Sequence, residues 1–163
     1  MNEIGLLWQS ETISPAHEHF ISFMIKQKVL VNTEKVQLYE PTREDKVFVL
    51  YLPENEIHEL GLMYLNYEIT LNGFKTIYLG ESVPISSLKD IPKYFDNVTY
   101  ISYMTVEPTK DDINDYLKTM HEEILKDTNS ELWTVGRLTE FIKKDQHPNV
   151  KIFNSILDLS NNL

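Results

Sequence analysis

The sequence predicts an α/β fold built around a parallel sheet. After residue 45, short β-rich runs alternate with amphipathic helical stretches, which is the pattern of βαβ units. The first run, residues 46–52 (KVFVLYL), is almost continuously apolar, as expected for a strand that is buried on both faces. With 163 residues, of which 42% are hydrophobic, the chain is long enough for one such core and a small appendage.

The α/β part is predicted to contain five strands and five helices. The strands are expected at residues 46–52, 76–79, 99–104, 132–135 and 150–153. The helices are expected at residues 58–72, 85–91, 109–124, 138–144 and 155–159. Gly73 ends the first helix as a left-handed residue, and Thr109 with Asp112 forms a capping box for the third. A short alternating chain of this kind usually closes as a flavodoxin-like sheet, so we expect the strand order 2-1-3-4-5 with ligands at the carboxyl edge.

The N-terminal residues are assigned to a second, smaller unit. Residues 1–43 form a partial helical cap and residues 44–163 the flavodoxin-like domain, with a hinge at 43–46. Ser14 followed by Pro15 is a good helix start, and a further short helix is expected before it. Two helices make a poor bundle, so their apolar faces must cover the α/β domain, another subunit or preceding sequence. The apolar residues expected on one face of the longer helix are Phe20, Phe23, Met24 and Val31.

Composition excludes several classes of function. The formal net charge of −10 repels phosphate backbones, so we do not expect this chain to bind DNA alone. It contains no cysteine, which excludes disulfides and thiolate metal sites. No apolar run is long enough to span a bilayer and the N-terminus does not resemble a signal peptide, so the protein is expected to be cytoplasmic.

The most informative local string is residues 56–61, Glu-Ile-His-Glu-Leu-Gly, which follows the first strand. It places the imidazole of His58 at the functional edge of the sheet, where neutral imidazole can be an axial ligand of a redox-active metal. Glu56 can accept the other ring N–H and so select the tautomer that binds metal. Gly61 removes a side chain where a large flat ligand would meet the helix. His58 is therefore the candidate metal ligand.

This Glu-x-His-x-x-Gly string resembles the lower-ligand motif of cobalamin-binding domains, in which the first residue is more often Asp. The resemblance implies that His58 replaces the dimethylbenzimidazole of the cofactor, whose nucleotide tail then enters a groove between the first and third strands. Ser102 and Met104 stand where the family has Ser-x-Leu, and Ser102 would bind the buried base. Gly136 matches the first glycine of a pair that lets the tail pass, but the second position is Arg137.

A second resemblance lies upstream. Trp8, nine residues and then Glu18-His19 are similar to a signature of MerR-type transcriptional regulators with a cobalamin domain, the CarH-like group. In that group the Trp covers the upper face of the cofactor. The light-responsive members carry a His after the Trp, and this chain has Gln9, so trapping of cobalt between two imidazoles is not expected.

The resemblance implies an effector-sensing domain that binds adenosylcobalamin or methylcobalamin and couples it to homo-oligomerisation, without enzymatic activity. DNA would be bound only through a separate N-terminal helix-turn-helix domain, which this chain lacks. Two alternatives stay open: a corrinoid methyl-carrier protein, and a cofactor-free interaction domain of the same fold. Ser102 and Met104 could also be plain strand core, Gly136 a tight turn, and Trp8 a packing anchor. His17 and His19 point to different faces of a helix, which disfavours a zinc site.

Overall fold

A five-stranded sheet lies at the centre of the computed structural model, which describes residues 14–143 and 148–163. Every pairing of neighbouring strands is parallel, and the order is β2-β1-β3-β4-β5. The predicted α/β class, flavodoxin-like topology and strand order are therefore confirmed. The strands are β1 Arg43–Pro53, β2 Phe74–Val83, β3 Val98–Tyr103, β4 Glu131–Val135 and β5 Val150–Ile152.

Four α-helices occur in the described ranges: α1 Pro15–Gln37, α2 Leu60–Leu71, α3 Ile113–Met120 and α4 Ile156–Ser160. Helix α3 continues into a π-helical turn at His121–Leu125. The helices predicted at 85–91 and 138–144 are wrong in type, because both connections form short 3-10 segments where they are described. In the first connection Pro92 lacks the N–H that a continuous α-helix would need. The 3-10 segments are Ile85–Leu88, Ile91–Lys93 and Arg137–Phe141.

The sheet has one apolar layer on each face, which explains the continuous apolar run of β1. Val49 and Tyr51 point into the layer that contains α3, whereas Phe48, Leu50 and Leu52 point into the layer that contains α2. All five of these side chains have no solvent exposure. Successive residues of a strand face opposite sides of the sheet, so burial of both faces requires an apolar residue at every position.

Helix α1 is the described part of the predicted cap. Ser14 caps it by accepting a hydrogen bond from the main-chain N–H of His17. The helix packs along α2, and an ion pair joins Lys26 of α1 to Glu59 (3.1 Å). The apolar face does not cover the α/β domain at Phe20 and Phe23, which are 65% and 60% exposed, so its cover by another subunit or by preceding sequence stays a prediction.

The predicted hinge at residues 43–46 is wrong, since these residues belong to β1. The main-chain N–H of Arg43 donates to the carbonyl of Gly73, and its guanidinium lies 3.7 Å from the ring centre of Phe74. The connection between cap and sheet is therefore residues 38–42. Among the described helices, none has the length and hydropathy needed to cross a bilayer.

Candidate functional site

The carboxylate of Glu56 organises the loops at the carboxyl edge of β1 and β3. The side chain is completely buried, yet it accepts hydrogen bonds at both oxygens. Oε1 accepts from the main-chain N–H groups of Ile57 (3.0 Å) and His58 (3.1 Å). Oε2 accepts from the main-chain N–H groups of Thr105 (3.0 Å), Val106 (2.6 Å) and Glu107 (3.0 Å). One side chain thus ties the loop after β1 to the loop after β3.

These contacts keep Glu56 ionised. Burial by itself would raise the pKa of Glu56, but the amides of Val106 and Glu107 and both the imidazole and the amide of His58 together lower it to about 2. Hydrogen bonds to the charged form of a carboxylate outweigh its desolvation when they are this numerous. A permanent negative charge therefore lies beneath His58.

The imidazole of His58 is held by this carboxylate. Its Nδ1 lies 2.5 Å from Oε1 of Glu56. Because an ionised carboxylate can only accept, Nδ1 carries the proton, and in the neutral ring the lone pair is on Nε2. The side chain is 54% exposed, so Nε2 is accessible to a ligand from outside. The structure thus brings together Glu56 and His58 in the arrangement that the sequence predicted.

Apolar side chains accompany the imidazole at this edge. Ile57 and Val106 are 60% and 46% exposed, although their main-chain amides both bind the buried carboxylate. Both exposed side chains therefore belong to the loops that the carboxylate of Glu56 holds together with His58. Exposed apolar groups around one accessible nitrogen suit a large flat ligand whose metal binds that nitrogen.

A groove of about 1030 Å³ opens beside this loop. It lies between α2, α4 and the ends of β3 and β4, and α1 contributes to its wall. The residues of its wall that matter below are Tyr103, Thr105, Gly136, Arg137 and Ile156. This site was only partly predictable, because its walls come from segments that are far apart in the sequence.

Gly61 faces this groove region, and its environment is more crowded than the sequence indicated. A Cβ at Gly61 would lie 3.0 Å from a ring carbon of Tyr103 and 3.2 Å from Cδ1 of Ile156. Burial and the charge of Glu56 raise the pKa of Tyr103, so its phenol stays neutral. The space that the glycine leaves free is therefore bordered by the chain's own aromatic ring.

The structure does not bring Ser102 and Met104 to the groove. Met104 is packed in the α3 layer, and strand alternation places Ser102 on the same side. Ser102 is buried on that side next to the phenol of Tyr51, and it therefore faces away from the groove. Ile101 and Tyr103 instead face the α2 layer. At the end of β3, the residues that line the groove are instead Tyr103 and Thr105.

Gly136 lines the groove and has a strict backbone requirement. Its φ is +123°, a conformation that favours glycine. A Cβ there would lie 2.8 Å from the carbonyl carbon of Met104 and closer still to its oxygen. Close packing of the main chain at Gly136 against the main chain at Met104 therefore explains why this residue is a glycine. Arg137, which follows, reaches across so that its Nη2 lies 3.3 Å from the carbonyl oxygen of Thr105.

The upstream residues lie apart from this loop. Glu18 and His19 are in the first turn of α1, where Glu18 accepts from the hydroxyl of Ser22 (2.6 Å) and His19 is 83% exposed. Neither has a hydrogen bond or ion pair with Glu56 or His58 within the described ranges. Trp8 lies outside the described residues. No group of three or more metal-binding side chains occurs in residues 14–143 and 148–163.

A link between α1 and the site was missed at the sequence level. Glu59, directly after His58, pairs with Lys26 of α1 and accepts a hydrogen bond from the hydroxyl of Tyr78 (3.2 Å). Lys26 and Glu59 are separated by 33 positions, and no local pattern signals their pairing. The cap helix is therefore attached to the residue that follows the imidazole.

Comparison with known proteins supports the architecture. No protein-family model and no curated protein sequence matches the chain. The monomethylamine corrinoid protein of Methanosarcina barkeri is similar in structure, with a TM-score of 0.76 and 14% identity over 99% of this chain and 76% of that one. A cobalamin-binding protein from Desulfitobacterium hafniense DCB-2 has a TM-score of 0.57 and 13% identity over 98% and 74% of the two chains.

A third similar structure is the methanol:cobalamin methyltransferase complex of Methanosarcina barkeri, with a TM-score of 0.55 and 15% identity, covering 97% of this chain and 60% of that one. At such identities the similarity establishes the fold. The matched region includes nearly all of this chain, so helix α1 belongs to it together with the sheet.

Proposed function

We propose that this chain binds cobalamin with His58 as the lower ligand of cobalt, and that it is the effector-sensing domain of a MerR-type transcriptional regulator. The observation that carries cobalamin binding is the imidazole of His58, whose Nδ1 is held by buried Glu56 while Nε2 stays accessible. The fold shared with corrinoid proteins agrees with it. The bound cobalt would carry the upper adenosyl or methyl group.

The chain's own residues fit this cofactor in three respects. Glu56 keeps the imidazole in the tautomer that can bind a metal. Ile57 and Val106 present apolar surface beside it for the lower face of the corrin ring. The groove of about 1030 Å³ has room for a nucleotide tail. Tyr103 and Ile156 narrow the groove next to Gly61, so the tail must pass beside them.

The sensing role rests on the cap. A ligand can shift an equilibrium between two states only by binding them with different affinity. Helix α1 is linked by Lys26 to Glu59, next to His58, and Phe20 and Phe23 are exposed on its outer side. We expect Trp8 to cover the upper face of the cofactor, as the equivalent Trp does in the resembling regulators. Cobalamin would then change the cap and the contacts between subunits.

The test is binding of adenosylcobalamin in the dark by the wild-type protein, His58→Ala and His17→Ala. The last variant removes an exposed imidazole from the start of α1 and is the matched control. We expect wild type and His17→Ala to retain cobalamin after gel filtration, with the spectrum of imidazole-bound cobalt and a changed oligomeric mass. His58→Ala should lose that spectrum. Equal spectra for wild type and His58→Ala would rule out the assignment.

A corrinoid methyl-carrier protein is the second candidate, and the TM-score of 0.76 with the monomethylamine corrinoid protein favours it. A carrier predicts that the protein loaded with methylcobalamin donates its methyl group to a thiol when a corrinoid-dependent methyltransferase is added. A sensor predicts a change of oligomeric mass and no transfer. A folded wild-type protein that retains no cobalamin would favour the third alternative, a cofactor-free interaction domain whose groove is narrowed by Tyr103.

A further inference from the structure

The groove described above carries few charged side chains. Of the described residues that line it, Arg137 is the single basic side chain and Glu68 the single acidic one. Arg137 is exposed and forms no ion pair with a described carboxylate, although the chain has 25 acidic and 15 basic residues. Its guanidinium donates to the carbonyl oxygen of Thr105, and its remaining N–H groups are available to bind an anion.

The guanidinium is connected to the candidate cobalt ligand through Thr105 and Glu56. Its Nη2 contacts the carbonyl oxygen of Thr105, and the N–H of the same residue donates to Oε2 of Glu56 (3.0 Å). The other oxygen of that carboxylate holds Nδ1 of His58. Only the main chain of Thr105 and the carboxylate therefore separate the cation from the imidazole.

The chemistry of the cofactor supplies the matching anion. The tail of cobalamin contains one phosphodiester between the corrin ring and the ribose, and this group carries one negative charge. When an imidazole takes the lower position on cobalt, the displaced tail must leave the lower face of the ring next to that imidazole. The phosphodiester would then enter the groove near Arg137.

We propose that Arg137 binds the phosphodiester of the nucleotide tail and thereby selects complete corrinoids over those that lack the tail. This inference rests on the proposed binding of cobalamin at His58. A guanidinium has five N–H donors in a planar fork that matches two phosphate oxygens, and Thr105 engages one of its nitrogens at 3.3 Å. Arg137, which stands at the second glycine position of the family pattern, would thus bind the nucleotide tail.

The experiment compares hydroxocobalamin with cobinamide, which has the same corrin ring but no nucleotide tail. Dissociation constants are measured by absorbance titration for wild type, Arg137→Gln and Arg137→Lys. Lys118→Gln is the matched control, because Lys118 is an exposed cation on α3, on the opposite side of the sheet. Circular dichroism and urea unfolding check that each variant is folded.

We expect Arg137→Gln to weaken binding of hydroxocobalamin about tenfold, or about 1.4 kcal/mol, and to leave binding of cobinamide within about twofold of wild type. Arg137→Lys should retain part of the affinity, since the charge is kept but the fork is lost. Added salt should weaken binding of hydroxocobalamin by wild type and much less by Arg137→Gln. Lys118→Gln should match wild type with both corrinoids.

Two results would overturn the inference while leaving the proposed function intact. One is unchanged affinity of Arg137→Gln for hydroxocobalamin. The other is an equal loss for both corrinoids, which would mean that Arg137 acts on the ring or on the fold. Failure of folded wild-type protein to bind either corrinoid has a different signature, because it overturns the proposed function and this inference together.

Discussion

The buried carboxylate of Glu56 makes the sharpest prediction about stability. Replacing it by Gln keeps the shape of the side chain but removes the charge and puts an amide nitrogen in place of one oxygen. In the cobalamin-free protein, that nitrogen must face either the three N–H groups that follow β3 or the two N–H groups and the imidazole that follow β1. The side-chain N–H of the glutamine would then lie against main-chain N–H groups, and neither could accept a hydrogen bond. We expect Glu56→Gln to lower the free energy of unfolding substantially.

The magnitude follows from the pKa. Burial opposes ionisation of Glu56, but the hydrogen bonds lower its pKa from 4.5 to about 2. At 1.36 kcal/mol per pH unit, this difference corresponds to about 3 kcal/mol of stability at neutral pH. Unsatisfied buried donors would add to the loss. We therefore expect a decrease of about 3 kcal/mol or more at pH 7, a large part of the 5–15 kcal/mol that is usual for a domain.

The dependence on pH has a definite sign. Because the pKa is lower in the folded state, the contribution of Glu56 is complete above the unfolded value of 4.5 and is lost as the pH falls toward 2. Between pH 6 and pH 3, wild type should lose about 2 kcal/mol through this group. Glu56→Gln should lack this component of the acid dependence, and Glu56→Asp should keep much of it.

The assay is urea unfolding followed by circular dichroism at several pH values between 3 and 7. The matched control is Glu54→Gln, an exposed carboxylate two residues earlier, which should stay within about 0.5 kcal/mol of wild type. The reasoning is refuted if Glu56→Gln is as stable as this control at pH 7. It is also refuted if wild type and Glu56→Gln lose the same stability toward acid.

Three further predictions concern the groove and the cap. Gly136→Ala should lower the free energy of unfolding in urea by about 3 kcal/mol, because φ is +123° and the added Cβ would clash with the main chain of Met104. Gly80→Ala is the control, since its φ is +85° but the nearest atom to the added Cβ is 3.7 Å away, and it should cost about 1 kcal/mol. Tyr103→Leu should widen the groove and tighten binding of hydroxocobalamin in absorbance titrations; weaker binding would show that the ring helps to hold the ligand. Lys26→Met should cost no more than about 1 kcal/mol in urea, because its ion pair with Glu59 is partly solvated, and a larger loss would mean that this pair governs docking of α1.

Much of the architecture could be predicted because the strands of a parallel sheet are buried on both faces and therefore appear in the sequence as continuous apolar runs. All five strands occur where the apolar runs predicted them, and Ser14-Pro15 starts α1 as expected. The pairing of Glu56 with His58 was predictable for a similar reason. The two residues are two positions apart, so a local turn is sufficient to bring the carboxylate to Nδ1.

The sequence did not predict which face of β3 points toward α2. Alternation requires that Ser102 and Met104 share one face and that Ile101 and Tyr103 share the other. It does not indicate which face meets α2, because both are buried and both carry apolar or aromatic residues. Only packing of the sheet between its two helical layers decides this, and it places Tyr103 rather than Ser102 at the groove.

The sequence by itself determined the succession of strands and helices and the local hydrogen-bonding pair at the end of β1, because burial periodicity and short-range geometry are written in neighbouring residues. Tertiary structure alone decided that Arg137 reaches Thr105, that Glu59 meets Lys26, and that the outer face of α1 is exposed. The first two contacts join residues that are more than 30 positions apart, and the third depends on which face of α1 packs against α2. Their energies are settled by the assembled layers rather than by any local pattern.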